Sequence, residues 1–308
     1  MSLSDHLQSG AIRFVGVILR RFSLGTVRKF ARSCGRFFYR HIPVRKEVAL
    51  ANLRLCFPDK SREELEHILA GSYINIATVF FEFLYFPKLT REILKRIVRF
   101  QDGTDELIKS SFERGKGVVM ISGHFSNWEL AAFSFGALTG KPPAIIVHPF
   151  HNEAVDKLAD RYRSLLGNST VPMGNSIRPT LSRLQSNGIV ALLADQSAAR
   201  ESGTARFFGI DVPTFQGPAT FALRTRAAII AGFLIRLNDG NYNFEFHEIK
   251  YDDLETDSEQ AVKELTQRHV AMLESYIRKY PEMWLWFHRR FKHVPAFDEA
   301  LREIKNNR

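Results

Sequence analysis

The chain has 308 residues, enough for one large α/β domain or for a domain with a helical appendage. Hydrophobic residues make up an ordinary 45%, but the net charge of +10 calls for an anionic partner. The two cysteines, Cys34 and Cys56, lack CxxC spacing, which argues against a disulfide framework or zinc site and fits a reducing compartment.

The basic charge is concentrated at the front. Residues 1–46 carry ten Lys or Arg against one Asp. Within them, Ile12, Val15, Leu19 and Phe22, then Val27, Phe30, Cys34 and Phe37, recur at helical spacing, while Arg28, Arg32, Arg36 and Arg40 follow at intervals of four. The pattern predicts a basic amphipathic helix pair over residues 1–43, broken near Ser23-Leu24-Gly25, that associates with an anionic membrane surface. A helix packing its apolar face on the rest of the protein is the other reading. The apolar run Ala11–Leu19 is too short to span a bilayer, which takes about 20 residues, and Arg13 interrupts it. A clean apolar centre and cleavage site for a signal peptide are also missing. Peripheral or monotopic attachment is therefore expected.

Residues 44–308 are expected to form the second unit, helical over 44–100. Its helices are Val44–Leu55, one opened by the capping box Ser61-Arg62-Glu63-Glu64, and one over Arg91–Phe100. The apolar stretch Ile74–Phe86 carries Asn75, Thr78 and Glu82, too polar to span, and reads as a buried or groove-lining helix. A sheet core is expected over 115–250. Its strands are 117–121, 144–147, 189–193 and 227–235, with an edge strand at Asn243–Phe246 and helices at Trp128–Leu138 and Asn152–Leu166. The remainder, 259–308, holds a long helix, Glu259–Lys279, and a Trp/Arg-rich segment. Strands alternating with helices predict an α/β fold with a mostly parallel central sheet flanked by helices.

The strongest chemical signal is Gly123-His124-Phe125-Ser126-Asn127-Trp128-Glu129, directly after a strand. In open α/β sheets the functional crevice lies at the carboxyl ends of the strands. On one continuous helix, His and Glu five apart would point away from each other. They can meet if His124 lies in the turn, with Gly123 permitting the bend, and Glu129 in the first helical turn. A neutral imidazole can take the proton of an attacking hydroxyl, and a carboxylate on its other nitrogen would fix the tautomer. Asp195-Gln196 ends another strand at the same crevice; Asp195 is expected to bind a substrate hydroxyl, brace an arginine or cap a turn. Arg163 is a candidate for a phosphate, with Arg161 its competitor. Arg206-Phe207-Phe208-Gly209 and Pro213-Thr214 read as a loop walling an apolar channel, the two phenylalanines equally as core. Trp284 to Lys292 interleaves aromatics with cations, which suits nucleic acid or a membrane interface. Without a Gly-rich phosphate loop, zinc spacing or RNA-binding signature, nucleic acid is set aside. The absence of a G-x-S-x-G elbow argues against a serine hydrolase.

Taken in order, these segments resemble the late-acting acyltransferases of lipid A biosynthesis, of the lauroyl/myristoyl type. The resemblance rests on Asn52-Leu53 with Cys56-Phe57-Pro58, on the His124–Glu129 motif, on Asp195-Gln196, on Phe207-Phe208-Gly209 with Pro213-Thr214, and on Trp286 to Lys292. It implies an acyl-carrier-protein thioester (or the coenzyme A equivalent) as donor and a lipid A precursor as glycolipid acceptor. It implies no cofactor or metal beyond the acyl thioester co-substrate, and the cytoplasmic face of a bacterial inner membrane. His124 and Glu129 carry over as the catalytic pair, and Arg163, Asp195, Gln196, Asn127 and Arg206 as substrate-binding residues. An acidic carrier protein would be steered by the basic surface. Related enzymes acylate other glycolipids, including mannosylated phosphatidylinositol. A non-catalytic binder of anionic ligands is the rival from another class.

Overall fold

The computed structural model describes residues 3–255 and 258–306. Four helices lead the chain: α1 (Leu3–Leu19), α2 (Leu24–His41), α3 (Lys46–Cys56) and α4 (Arg62–Tyr85). Ser23 caps α2 by accepting from the Thr26 N–H, so the break falls where the serine is. The capping box at α4 forms in full, Ser61 and Glu64 each bonding the other's backbone N–H. Continued by a 3-10 turn to Lys88, α4 is long and apolar enough to cross a membrane, yet more than half of its most apolar stretch is buried in the fold.

The expected helix Arg91–Phe100 stops early. It is α5 (Arg91–Ile97), followed by strand β1 (Val98–Phe100) and by α6 (Thr104–Glu113). Val98 and Phe100 are β-formers that pair with one later strand, at Tyr242 and Phe244. Next come β2 (Val118–Ser122), α7 (Trp128–Thr139), β3 (Ala144–Val147), α8 (Glu153–Arg163), β4 (Ser169–Pro172), α9 (Ile177–Gln185) and β5 (Ile189–Leu193). Then follow β6 (Thr204–Phe207), β7 (Ile210–Pro213), α10 (Gly217–Thr225), β8 (Ala228–Arg236), β9 (Tyr242–Glu248), α11 (Glu259–Lys279) and α12 (Pro295–Asn306).

Among the described residues the main sheet has seven strands in the order β1-β9-β8-β2-β5-β3-β4. Strands β8, β2, β5, β3 and β4 are parallel, whereas β9 is antiparallel to β8, and β1 pairs parallel to β9. The mostly parallel expectation holds, but the strand read at Asn243–Phe246 lies inside the sheet, because β1 covers its outer side. Alternation is clean across the centre. Val119, Ile121, Val190, Leu192, Ile229 and Ala231 enter one core layer, and Val118, Met120, Ile189, Ala191, Ala228 and Ile230 the other. A sheet buried on both faces needs such continuous apolar runs.

The segment read as a channel-walling loop is a two-stranded hairpin, β6 with β7. Phe207 and Phe208 are buried, Phe207 against Trp284 and Phe291. Likewise the aromatics Trp284, Trp286 and Phe291 of the C-terminal segment are core, with no faces left to stack on bases.

The N-terminal pair departs from its helical wheel. α2 packs closely on α4, its buried face made of Val27, Arg28, Ala31 and Gly35. A Cβ at Gly35 would stand 2.5 Å from the Ile74 Cα, so only glycine allows this crossing. Arg28, expected on the basic face, is instead buried as an ion pair with Glu82 of α4. Phe30, Phe37 and Phe38 are exposed beside Lys29, Arg32, Arg36 and Arg40. Small residues let the backbones approach and a buried carboxylate draws Arg28 inward; together they turn the large aromatics outward.

Candidate active site

Parallel register builds the site. Ser122 at the end of β2 lies opposite Leu193 at the end of β5, so His124 and Asp195 each stand two residues past their strand, side by side. The His124 ring Nδ1 is 2.8 Å from Asp195 Oδ1, and the His124 backbone N–H donates to Oδ2 at 2.7 Å. The Trp284 indole N–H donates to the same Oδ2 at 2.8 Å. Burial alone would push the Asp195 carboxyl up, but the facing His124, its ring and backbone bonds and the Trp284 N–H hold it down at about 2. An ionised carboxylate only accepts, so Nδ1 carries a proton, and Nε2 is the ring nitrogen that Asp195 does not bond. The His124 side chain is partly exposed, and the Gln196 amide stands 3.4 Å from Nε2.

This overturns the expected pairing of His124 with Glu129. Both Glu129 oxygens accept from Arg163, from Nε at 2.9 Å and from Nη2 at 2.6 Å. Glu129 sits in the first turn of α7, facing the last residue of α8, and the bidentate fork claims it. Arg163 is buried, and although burial alone would lower its pKa, the Glu129 bonds raise it. The rings of Phe83 and Phe150 lie about 6 Å from its guanidinium. Its competitor Arg161 is exposed. Asp195, expected among the substrate-binding residues, bonds His124 and Trp284. Arg206 is exposed on β6, paired with Asp211 across the hairpin and bonded through its backbone to Gln267. It shares no bond with this cluster among the described residues.

Backbone geometry explains the motif's small residues. The left-handed position of the turn is Ser126, at φ 49°, and not Gly123. Gly123 is needed for space, since a Cβ there would lie 2.8 Å from the Leu273 side chain and 3.1 Å from Asp195 Oδ2. Ser126 is held by its N–H to the Met283 carbonyl at 2.7 Å and by the Asn75 amide on its carbonyl at 3.2 Å. Asn127 is buried and caps α7, its Oδ1 accepting from Leu130 N–H at 2.9 Å. The Leu285 N–H bonds the His124 carbonyl at 3.0 Å, so the C-terminal segment clamps the turn from outside.

Several residues of this arrangement were missed by sequence reasoning. Trp284 was read only as a surface aromatic. His288 was read only as part of the same stretch; its Nε2 accepts from the Ser197 N–H at 3.2 Å, and burial pushes its pKa down to about 4, keeping it neutral. Beneath Asp195, a small enclosed cavity is lined by Ser122, His269, Arg290 and apolar side chains. Burial pushes His269 down to about 4, and its Nε2 has no partner among the described residues.

A family model described as bacterial lipid A biosynthesis acyltransferase matches residues 3–293. The lipid A biosynthesis palmitoleoyltransferase of Escherichia coli (strain K12) is 26% identical over 264 residues, covering 83% of this chain and 82% of that protein. The lipid A biosynthesis lauroyltransferase of the same strain is 22% identical over 272 residues, 85% of this chain and 83% of its own. The phosphatidylinositol mannoside acyltransferase of Mycobacterium tuberculosis (strain ATCC 25618 / H37Rv) is 26% identical over 148 residues, 46% of this chain and 45% of its own.

Proposed function

The chain belongs to the bacterial lipid A biosynthesis acyltransferase family, and from that premise we propose that it moves a fatty acyl group from a carrier-protein thioester to a hydroxyl of a lipid A precursor, with His124 as general base. The observation that carries this reading is the His124–Asp195 pair, with Nδ1 tied down and Nε2 turned to the crevice. In the reaction Nε2 takes the hydroxyl proton as the oxygen attacks the thioester carbonyl. The tetrahedral intermediate then collapses, the C–S bond breaks, and the imidazolium returns its proton to the departing thiol. Asp195 supports the positive ring throughout. The Gln196 amide is close enough to Nε2 to bond the same reacting atoms. Both Glu129 oxygens are taken by the Arg163 guanidinium, which favours a positioning part for it and Arg163.

Peripheral binding to the cytoplasmic face of the inner membrane fits the surface of the first two helices. Phe14, Val17 and Ile18 of α1, Phe22, and Phe30, Phe37 and Phe38 of α2 are exposed among arginines. A second acceptor class, mannosylated phosphatidylinositol, is supported by the mycobacterial relative.

The test is incubation with acyl-carrier-protein thioesters of several chain lengths and a lipid A precursor in detergent, reading the acylated lipid by mass. The expected product is the precursor plus one acyl group, lost in both His124→Ala and Asp195→Asn. Product that survives His124→Ala in a folded protein removes the proposed base, and product that survives Asp195→Asn removes its supporting carboxylate. Product formed only on mannosylated phosphatidylinositol replaces the acceptor.

A further inference from the structure

Resting on this acyl-transfer reading, we propose that Glu82 is a positioning residue for the reaction, tying the seating of helix α2 to the turn that presents His124. Glu82 is 1% exposed and stands in the last turn of α4, with no part in the chemistry above. One of its oxygens accepts from Arg28 of α2. The other accepts from the Asn127 amide at 2.5 Å and from the Tyr242 hydroxyl at 2.5 Å, with Arg236 Nη2 at 3.9 Å. Arg236 continues the network, donating to Asn75 Oδ1 at 2.7 Å, and Asn75 donates to the carbonyls of Ser126 and Met283.

A carboxylate accepts and cannot donate, so it fixes which way the Asn127 amide points. With Nδ2 committed to Glu82, Oδ1 is left to cap the Leu130 N–H. That cap sets where α7 begins, directly behind the left-handed Ser126 and beside His124, whose ring lies 5.1 Å from the Trp128 ring. The same carboxylate anchors Arg28, the charged residue on the buried face of α2. The opposite face of that helix carries exposed phenylalanines and arginines. Whatever surface seats α2 therefore acts, through Arg28 and Glu82, on Asn127.

The charge count separates this role from bulk stability. Two guanidiniums, Arg28 and Arg236, share one carboxylate, and each has a buried nitrogen that makes no hydrogen bond among the described residues. Removing Arg28 leaves one cation per carboxylate, so Arg28→Met relieves a like-charge excess while cutting the tie to α2.

The experiment is a double-variant cycle on the full chain in detergent micelles, with Arg28→Met, Asn127→Ala and the pair together. Arg28 and Asn127 bond the same Glu82 carboxylate through different oxygens. Each single change is expected to lower kcat roughly tenfold with KM for the thioester within about twofold, and the double no more than a single. Arg28→Lys, which keeps a cation at Glu82, is expected to restore most of kcat. Multiplicative losses in the double variant overturn the proposal, as does a wild-type kcat in Arg28→Met. Hydrogen exchange of the segment 123–131 gives a readout independent of turnover. Arg28→Met is expected to speed exchange there; unchanged exchange in that segment overturns the coupling. If the wild type transfers no acyl group, the functional reading fails, and exchange alone decides the coupling.

Discussion

Asp195 and Glu129 are both held by bonded side chains, and their partners make them chemically different. Asp195 is bonded by an imidazole, a backbone N–H and an indole, and it leaves unbonded the second imidazole nitrogen, the one proposed to move a proton. Glu129 is bonded twice by a guanidinium, a cation that does not titrate near neutrality, so its pair is a closed fixture. The comparison shows that a carboxylate's part in a site is decided by its partner. Proton transfer needs a partner able to lose its charge, and of the two pairs only His124–Asp195 has one.

The most forceful way to break the comparison is at His124. His124→Ala is expected to cost at least about 1000-fold in kcat, and Asp195→Asn, which reverses the tautomer preference, a loss of the same order. Steady-state rates on the folded variants check both, and a loss under tenfold in Asp195→Asn would make that carboxylate a bystander. At the closed pair the expected effect is on stability. Arg163→Met leaves Glu129 charged, poorly solvated and unpaired, and should destabilise by about 3 kcal/mol in denaturant melts. Glu129→Met combined with Arg163→Met should recover most of that loss, because no lone charge remains.

A third histidine sharpens the contrast, since His269 is buried near Asp195 without a counter-charge. Burial lowers its folded pKa from 6.5 to about 4, so the unfolded chain binds the extra proton first. Its contribution is therefore full above pH 6.5 and falls away as the pH drops from 6.5 toward 4. On the order of 3 kcal/mol of stability is lost across that window. His269→Leu should flatten the fall of the melting temperature over the same range; an unchanged slope would mean that the ring is protonated in the folded protein. The smallest expected effect is Trp284→Phe, which removes one of three donors to Asp195. It should cost roughly tenfold in kcat, about 1 kcal/mol, with the fold intact.

How much of this was legible follows from sequence distance. The β-branched runs at 118–121 and 189–193 announce buried parallel strands, and their ends put His124 and Asp195 at one crevice. The pairing itself was not legible. Glu129 is five positions from His124 and invites a local dyad, whereas Asp195 is 71 positions away, joined to it by a strand register that no spacing reveals. Arg28 fails in the same way, for its burial depends on Glu82, 54 residues on. The short strands β1 and β4 carry too few residues to set a period against the helices beside them. Trp284 is an aromatic among aromatics until the Phe125–Trp284 bridge brings its indole to Asp195.

The donors gathered on Asp195 come from positions 124 and 284, so the loops that close around this carboxylate run 71 residues to one side and 89 to the other. Closing loops of that length is entropically the late part of assembly, and contacts far apart in sequence are slow to form. A fragment emerging in order from its N-terminus carries the basic helices early, His124 and Asp195 later, and the Trp284 donor that completes the cluster only after residue 283. In a refolding reaction the return of activity should therefore lag behind the return of helical signal, and turnover becomes a clock for the last tertiary contacts to close.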